Sequence, residues 1–378
     1  MKRVLENIRV LDLTHYMAGP FCTMLLADLG AEVIKIEPPW GEALRSNPPL
    51  VNGLSSSFLF LNRNKKSMKL NLKTAKGKNI FIELAKVSDI VIENFSPGTM
   101  HTLGLDYEAL SAINPKIIFV SVSGFGQYGP YSRRPSYDAV AQAYSGLMSL
   151  VGDQAKESGP PLLVPDYIGD AVPALYATIG VLAALFYRER TGHGQWIDVA
   201  QLDSMVSILQ SIVSYMLVKH TTPQLRRKFF TGAYGIFKTL DGYVLIASPS
   251  GHFLDTLAKI IGAARIDANE TVAEWTKSQT VDNVVNKLVE AGIPVAPVLT
   301  VDKTIEDPQV KMRSMIVELN HSTAGKVKAV ACPLKFSETP VKVELPPPLL
   351  GEHGEEILSK LLGYSEEEIA ELKKENVV

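Results

Sequence analysis

The sequence has 378 residues, more than the roughly 250–300 at which one hydrophobic core stops growing, so we expect two domains. Its 38 Lys plus Arg against 40 Asp plus Glu exclude the basic excess of a general nucleic-acid-binding protein. Its 46% hydrophobic content excludes disorder, and its two cysteines, Cys22 and Cys332, exclude a disulfide framework and favour a reducing cytoplasm.

The first half of the chain alternates strand-like and helix-like segments. Residues 8–13 and 31–37 read as strands on either side of a helix over residues 21–29 that ends at Gly30. Such a βαβ unit predicts parallel strand pairing. The alternation continues with helices over 75–86, 110–113, 138–151, 170–188 and 204–219, and with strands over 89–93, 117–122 and 196–200. It predicts an α/β fold with a doubly wound, mostly parallel, Rossmann-like sheet in a large domain spanning residues 1–220.

The pattern changes after Lys219, where the polar residues 220–228 predict a linker. Residues 221–330 are then expected to form a smaller α+β domain. Its predicted elements are a hairpin over 234–238 and 243–248, helices over 253–261 and 281–291, and strands over 295–299, 316–319 and 326–330. A charged helical tail over residues 355–375 follows three consecutive prolines.

The one long apolar run covers residues 171–187. It is shorter than the roughly 20 residues that span a bilayer, and Pro173 lies near its start. We therefore predict a buried helix and no membrane association.

Several common sites are excluded by their missing motifs. Glu37 ends the second strand where a ribose-binding carboxylate would lie, but the preceding turn, residues 13–19, has no GxGxxG motif. The chain also has no GxxxxGK[ST] phosphate loop and no GxSxG elbow, and its seven histidines lack metal-ligand spacing. We therefore expect no dinucleotide, no metal and no serine nucleophile.

Asp170 is the candidate nucleophile that remains. It precedes the most apolar helix, with Pro173 expected in the first turn, so it is placed at or near the N-cap. Aspartate is a preferred N-cap residue, and a purely structural role explains the position equally well. At an exposed loop facing the positive end of the helix dipole, its carboxylate would stay ionised and able to attack an acyl group.

Several motifs, spread in order over nearly the whole chain, resemble the family III CoA-transferases. This family includes formyl-CoA:oxalate and carnitine CoA-transferases and α-methylacyl-CoA racemase. The matching stretches are residues 10–39, 62–73, 91–98, 123–130, Gly169-Asp170, 190–199, 292–298 and 307–310.

The resemblance implies a covalent mechanism and a substrate site. Asp170 matches the family's nucleophilic aspartate, which forms a mixed anhydride with the donor acyl group and then an aspartyl-CoA thioester. The substrates would be an acyl-CoA and a carboxylic acid, with no permanently bound cofactor. The positions implied to contact CoA are Met17, Ala18, Pro38, Leu70, Asn71, Leu72, Lys73, Asn94, Phe95, Ser96, Thr102, Ser136, Tyr137 and Asp138. Family members form interlocked homodimers, and their C-terminal tail, here residues 331–378, completes the large domain.

Three departures from the family pattern bear on the substrate. Met17 replaces a glutamine of some transferases, and Thr102 replaces a frequent arginine, which leaves Lys73 to face the CoA phosphates. Residues 230–233 lack the glycine-rich lid of formyl-CoA transferase. These differences argue against oxalate as the acceptor.

A fourth departure separates the two reactions of the family. Tyr137 stands where the racemases carry the histidine that exchanges the α-proton, and a phenol is a poor base near neutrality. The sequence therefore favours a transferase, with a racemase or epimerase as the alternative. A protein that binds acyl-CoA without turnover is the non-enzymatic alternative.

Overall fold

The computed structural model describes residues 3–155, 159–217, 233–248, 251–264, 266 and 269–378. The chain divides into two compact units. Unit 1 takes in Met1–Val151, Pro160–Leu209 and Arg313–Val378, and unit 2 takes in Gly152–Gly159 and Gln210–Met312. The predicted linker over residues 220–228 lies outside the described residues.

A six-stranded parallel sheet forms the centre of unit 1. Its strands are β1 (Arg9–Asp12), β2 (Glu32–Glu37), β3 (Lys65–Lys69), β4 (Ile90–Glu93), β5 (Ile118–Ser123) and β6 (Trp196–Ala200). The strand order is β3-β2-β1-β4-β5-β6, and every neighbouring pair is parallel. This is the doubly wound order in which ligands bind at the carboxyl ends of the strands. The predicted α/β class with a parallel sheet is confirmed.

Helices connect these strands and continue along the chain. The first nine are α1 (Ala18–Asp28), α2 (Ser56–Leu61), α3 (Ala75–Lys86), α4 (Thr99–Leu103), α5 (Tyr107–Ile113), α6 (Asp138–Ser145), α7 (Leu147–Ala155), α8 (Ile168–Thr191) and α9 (Gln201–Ser207). A 3₁₀ turn (Ala43–Ser46) and a two-stranded antiparallel pair (Leu50–Val51 with Leu54–Ser55) lie between β2 and α2.

The other described elements follow in chain order. They are α10 (Gln210–Leu217), β7 (Ala233–Lys238), β8 (Tyr243–Ser248), α11 (His252–Ile261), α12 (Asn269–Lys277), α13 (Val281–Glu290), β9 (Val295–Pro297), α14 (Val301–Glu306), α15 (Pro308–Met312), β10 (Ile316–His321), β11 (Gly325–Val330), α16 (Gly354–Leu362) and α17 (Glu366–Lys374).

Two hydrophobic clusters hold the sheet between helices on its two faces. One cluster joins the sheet to α1 and α8, with Leu26 and Val181 fully buried. The other joins it to α3, α5, α16 and α17, with Phe81 and Leu358 fully buried. Full burial of each such side chain contributes about 1.5–3 kcal/mol.

The C-terminal segment packs on unit 1 through both backbone and side chains. The Asn71 N–H donates to the carbonyl of Val377 at 2.8 Å, and the His353 N–H donates to the carbonyl of Ser67 at 2.9 Å. The segment thereby covers the loop after β3.

Three predicted helices are each divided in two. Gly146, at φ 87°, separates α6 from α7, and Gly363, at φ 75°, separates α16 from α17. Glycine adopts this left-handed conformation without the strain of a Cβ, so each of the two glycines ends a helix that hydropathy alone would continue. The predicted helix over 204–219 is also divided, into α9 and α10, but no glycine lies between them.

The hairpin of β10 and β11 belongs to unit 1, which corrects the prediction that it lies in the small domain. Its buried residues Leu319, Val327 and Ala329 cluster with Leu59 of α2. The other predicted domain boundaries stay predictions.

Unit 2 contains a three-stranded antiparallel sheet of order β9-β8-β7. Leu257, Val272, Val284 and Leu288, from α11, α12 and α13, are fully buried in its core.

Within the described residues, α8 is the one helix whose length and composition would allow it to cross a membrane. Its residues Ala174, Ala177, Val181 and Ala184 are fully buried in the core of unit 1. That packing is typical of the buried helix that we predicted.

Candidate active site

The loops at the carboxyl ends of the sheet strands carry most of the predicted site residues. Met17 follows β1, Pro38 follows β2, residues 70–73 follow β3, and Asn94 to Ser96 follow β4. Because parallel strands end at the same edge of a sheet, these positions share one edge of unit 1. Glu37, at the end of β2, is already engaged within the protein, since its carboxylate accepts two hydrogen bonds from Arg45 and is not available to bind a ribose.

Asp170 lies in the first turn of α8, but not as its cap. The N-cap is Tyr167, and Asp170 is the third helical residue; Pro173 is the sixth and lies inside the helix. Asp170 is only 8% exposed. Asp170 thus lies near the N-cap, whereas the predictions of an exposed carboxylate and of a first-turn proline are wrong, because the helix begins two residues earlier than its apolar pattern.

The backbone before α8 is strained. Asp166 and Tyr167 both have positive φ angles, 77° and 51°, which non-glycine residues rarely adopt. Each such residue costs of order 1–3 kcal/mol, and such strain clusters at functional sites. The two residues set the direction in which α8 presents Asp170.

Asp138 fixes the start of α8. Its Oδ1 accepts a hydrogen bond from the Gly169 N–H at 2.6 Å, and its Oδ2 accepts one from Gln142 Nε2 at 2.9 Å. A Cβ on Gly169 would lie 2.5 Å from the Asp138 carbonyl oxygen, so only glycine fits this contact. The Asp138 carboxylate is thereby held beside the neighbouring Asp170.

Gln201, the first residue of α9, contacts Asp170 directly. Its Nε2 donates to Asp170 Oδ1, and its Oε1 accepts a hydrogen bond from Ser136 Oγ at 2.9 Å. The sequence analysis did not single out Gln201. The only feature of the sequence that could have identified Gln201 is its position directly after β6, at the carboxyl ends of the strands.

Burial and the Asp138 carboxylate raise the pKa of Asp170 from 3.8 to about 7, while the hydrogen bond from Gln201 lowers it. Desolvation and a like charge both disfavour the ionised form, which explains the direction. The expectation that the helix dipole keeps Asp170 strongly ionised is wrong for this buried position. Near neutral pH the group is instead divided between its acid and its carboxylate.

Buried and partly buried side chains hold the loop after β1. Asn94 Oδ1 accepts from the His15 N–H and Asn94 Nδ2 donates to the His15 carbonyl, both at 2.8 Å. Lys35 Nζ donates to the Thr14 carbonyl at 2.8 Å and pairs with Glu42 at 3.1 Å. Glu42 in turn accepts from the Tyr16 N–H at 3.1 Å. This loop leads into Met17 and is therefore fixed from both sides.

Aromatic contacts connect this loop to other predicted site residues. The rings of Tyr16 and Tyr137 meet edge-on with centroids 5.7 Å apart, and those of His15 and Phe95 lie 5.5 Å apart. Tyr137 is 60% exposed. The structure thus brings together the loops after β1, β4 and β5.

The remaining predicted CoA contacts differ in how much of their side chain is accessible. Ala18 and Leu70 are buried, so only their backbone could meet a ligand. Lys73 and Thr102 are exposed, with Lys73 Nζ 5.7 Å from the Trp40 ring centroid and Thr102 Oγ1 donating to the Gly98 carbonyl. Lys73 thus keeps an accessible cation at the sheet edge.

Glu93, at the end of β4, is a second acidic group that the sequence analysis missed. It lines a cavity of about 200 Å³ together with Ser96, Ser121 and Trp196. Burial raises the pKa of Glu93 to about 7. In the described part of the chain, no group of three or more His, Cys, Asp and Glu residues could hold a metal ion.

The fold and the buried aspartate at the sheet edge define an α/β protein with a carboxylate-centred site. The sequence matches the family model described as CoA-transferase family III over residues 5–354. The chain belongs to this family and is a family III CoA-transferase.

Individual relatives agree with this assignment. The chain is 35% identical to succinyl-CoA:glutarate CoA-transferase of Homo sapiens, over 99% of this chain and 90% of that protein. It is 33% identical to formyl-CoA:oxalate CoA-transferase of Streptomyces avermitilis, over 100% of both. A crystal structure of a CaiB/BaiF family protein from Brucella suis matches with a TM-score of 0.85 and 31% identity, over 96% of this chain and 100% of that one.

Proposed function

We propose that this enzyme moves CoA from an acyl-CoA donor to a carboxylic acid acceptor through a covalent acyl-enzyme on Asp170. The observation that carries the proposal is the position of Asp170, which is buried at the sheet edge with Oδ1 held by Gln201. Among the described residues, no hydrogen-bond donor reaches Oδ2, so this oxygen keeps its lone pairs for attack.

The reaction proceeds by repeated acyl exchange between carboxylates and a thiolate. Asp170 Oδ2 attacks the thioester carbonyl of the donor, the C–S bond breaks, and a mixed anhydride and CoA thiolate result. The thiolate then attacks the aspartyl carbonyl, which releases the donor carboxylate and forms an aspartyl-CoA thioester. The acceptor carboxylate attacks that thioester, the C–S bond breaks, and a second anhydride and the CoA thiolate result. Thiolate attack on the acceptor acyl carbon then yields the new acyl-CoA and free Asp170.

The raised pKa of Asp170 favours this series of reaction steps. A carboxylate with a pKa of about 7 is more basic, and so more nucleophilic, than an ordinary one, yet it is half ionised at neutral pH. Transfer should therefore rise with pH through this value.

CoA is expected along the carboxyl ends of the strands, against the loops after β1 and β4. The Lys73 ammonium would meet its phosphates. Both loops are fixed by the hydrogen bonds between Asn94 and the His15 backbone, so the thioester would bind near Asp170 against rigid backbone.

We further propose a dicarboxylic acid as the acceptor. The names of the two relatives above give glutarate and oxalate as acceptors, and both are dicarboxylates. Oxalate is expected to be the poorer of the two, because residues 230–233 lack the glycine-rich lid; residues 230–232 lie outside the described part of the chain. A panel of acyl-CoA donors and mono- and dicarboxylic acceptors, with products identified by mass spectrometry, tests this choice.

Trapping tests the nucleophile. Incubation with an acyl-CoA followed by hydroxylamine should convert Asp170 to its hydroxamate, which peptide mass spectrometry locates. Asp170→Ala should give no adduct and no transfer. Turnover near that of the wild type in this variant would disprove the assignment.

Racemisation at the α-carbon is the second candidate function, because the same family includes racemases. It needs a second base, and at the corresponding position the exposed Tyr137 packs on Tyr16 instead. A 2-methylacyl-CoA held in deuterated water without an acceptor should gain almost no α-deuterium. Rapid exchange with inversion would overturn the preference for transfer.

A homodimer is the expected assembly. The outer face of α8 carries a stripe of exposed apolar side chains at Leu175, Ile179, Leu182 and Phe186. Unpartnered apolar surface of this kind marks protein–protein contacts. Light scattering should give about twice the chain mass of 41.3 kDa, and a monomer at micromolar concentration would contradict the proposal. The cytoplasmic location also stays a prediction.

A further inference from the structure

We propose that Gln201 is the positioning residue of the nucleophile. Its amide holds Asp170 Oδ1 and thereby directs Oδ2 toward the acyl carbon. The inference rests on the proposed role of Asp170 and extends it to a residue that touches Asp170 rather than the reacting carbonyl.

The Gln201 amide is held at both of its ends. Gln201 is 6% exposed, and its Nε2 donates to Asp170 Oδ1. An ionised carboxylate can only accept, so it selects the amide NH₂. The carbonyl oxygen Oε1 then faces Ser136, whose hydroxyl can donate, and it accepts from Ser136 Oγ at 2.9 Å.

Ser136 is itself held against the sheet edge. A Cβ on Gly124, directly after β5, would lie 2.1 Å from the Ser136 Cβ, so the Ser136 side chain lies against the glycine backbone. The Leu202 N–H donates to the Gly124 carbonyl at 3.1 Å. The segment after β5 and the start of α9 are therefore joined, and Gln201 contacts Asp170 from a fixed backbone.

This arrangement has two consequences for the reaction. A carboxylate held at one oxygen loses rotational freedom and presents the other oxygen in one direction, which lowers the entropic part of the barrier. The same hydrogen bond favours the ionised form and opposes the effects of burial and of Asp138. Gln201 thus affects both the orientation and the ionisation of the Asp170 carboxylate.

The alternative is that Gln201 only satisfies a buried polar position and stabilises the fold. The two roles differ in their readouts. A structural role changes thermal stability, whereas a positioning role changes kcat and the pH at which activity appears.

The decisive variant is Gln201→Met, which keeps the length of the side chain and removes its donor. We expect kcat to fall about 10- to 100-fold, the loss of one hydrogen bond to a charged group. The KM for acyl-CoA should stay within about threefold, since uniform substrate binding is unchanged. The acidic limb of the kcat/KM profile should move to higher pH, because the hydrogen bond that lowers the Asp170 pKa is gone.

The matched control is Gln195→Met. Gln195 directly precedes β6, at the amino end of the strand, whereas Asp170 lies at the carboxyl ends of the strands, so kcat and the pH profile should match the wild type.

Ser136→Ala is the second variant. It leaves Gln201 in place but frees its amide to rotate, and we expect a smaller shift of the acidic limb in the same direction.

The outcomes separate this inference from the proposed function. An unchanged acidic limb or unchanged kcat in Gln201→Met overturns the positioning role while hydroxylamine trapping still labels Asp170 in the wild type. If Gln201→Met does not fold, an unchanged acidic limb in Ser136→Ala overturns the positioning role. Failure to label Asp170 in the wild type refutes the proposed mechanism itself.

Discussion

Replacing Asp170 by asparagine should stabilise the protein at neutral and alkaline pH while abolishing transfer. Asp170 has a pKa of about 7 in the folded chain against an ordinary value of 3.8. The folded state therefore holds this proton more tightly than the unfolded state does. Its contribution is fully favourable below pH 4 and is lost progressively as the pH rises to 7.

The size of the effect follows from the pKa difference. About three units at 1.36 kcal/mol each give a loss of about 4 kcal/mol in the free energy of unfolding above pH 7. Asparagine does not ionise and can still accept the hydrogen bond from Gln201. The variant should therefore be more stable by up to about 4 kcal/mol at pH 8, and by about half of that at pH 5.5.

Thermal unfolding of wild type and Asp170→Asn at the two pH values tests this expectation. The Tm advantage of the variant should be about 5 °C at pH 8 and clearly smaller at pH 5.5. The comparison between pH values is its own control, because packing changes caused by the substitution are the same at both. An advantage that does not grow with pH, or a less stable variant at pH 8, would refute the electrostatic reasoning.

Three further substitutions test the surroundings of Asp170. Asp138→Asn removes the like charge, so the pKa of Asp170 should fall and the acidic limb of kcat/KM should move to lower pH in steady-state assays. Gly169→Ala places a Cβ 2.5 Å from the Asp138 carbonyl oxygen, and the displaced helix start should cost about 100-fold in kcat with an unchanged circular dichroism spectrum. Asn94→Ala removes both hydrogen bonds to the His15 backbone and should raise the KM for acyl-CoA about tenfold, with a smaller change in kcat.

Most of the parallel sheet could be predicted because its strands are buried apolar runs between amphipathic helices. The exception is β3, which reads Lys65-Lys66-Ser67-Met68-Lys69 and has no apolar pattern. Lys65 is fully buried and pairs with Asp12 at 3.0 Å, and Ser67 Oγ donates to Glu37. A strand whose polar residues are satisfied by partners elsewhere in the chain cannot be recognised from hydropathy.

The position of Asp170 at a helix start could also be predicted, but its environment could not. Gly169 and Asp170 precede an apolar run of residues, and that local pattern marks Asp170. The burial of the carboxylate and its pKa depend on Asp138 and Gln201, each about 31 residues away along the chain. The dipole of α8, the one electrostatic influence that the local sequence shows, is outweighed by burial and by the charge of Asp138.

Asp138 and Gln201 act on the same carboxylate in opposite directions. In the proposed mechanism, burial and the charge of Asp138 would make Asp170 basic enough to attack a thioester, and the amide of Gln201 would keep more of it ionised near pH 7. Both effects require a water-poor site, since charge interactions weaken in solvent. Burial without a cationic partner costs stability, as the Asp170→Asn comparison is designed to measure. In the proposed mechanism, the burial and the like charge that cost stability would therefore be those that make Asp170 more nucleophilic, a relation found where activity and stability compete.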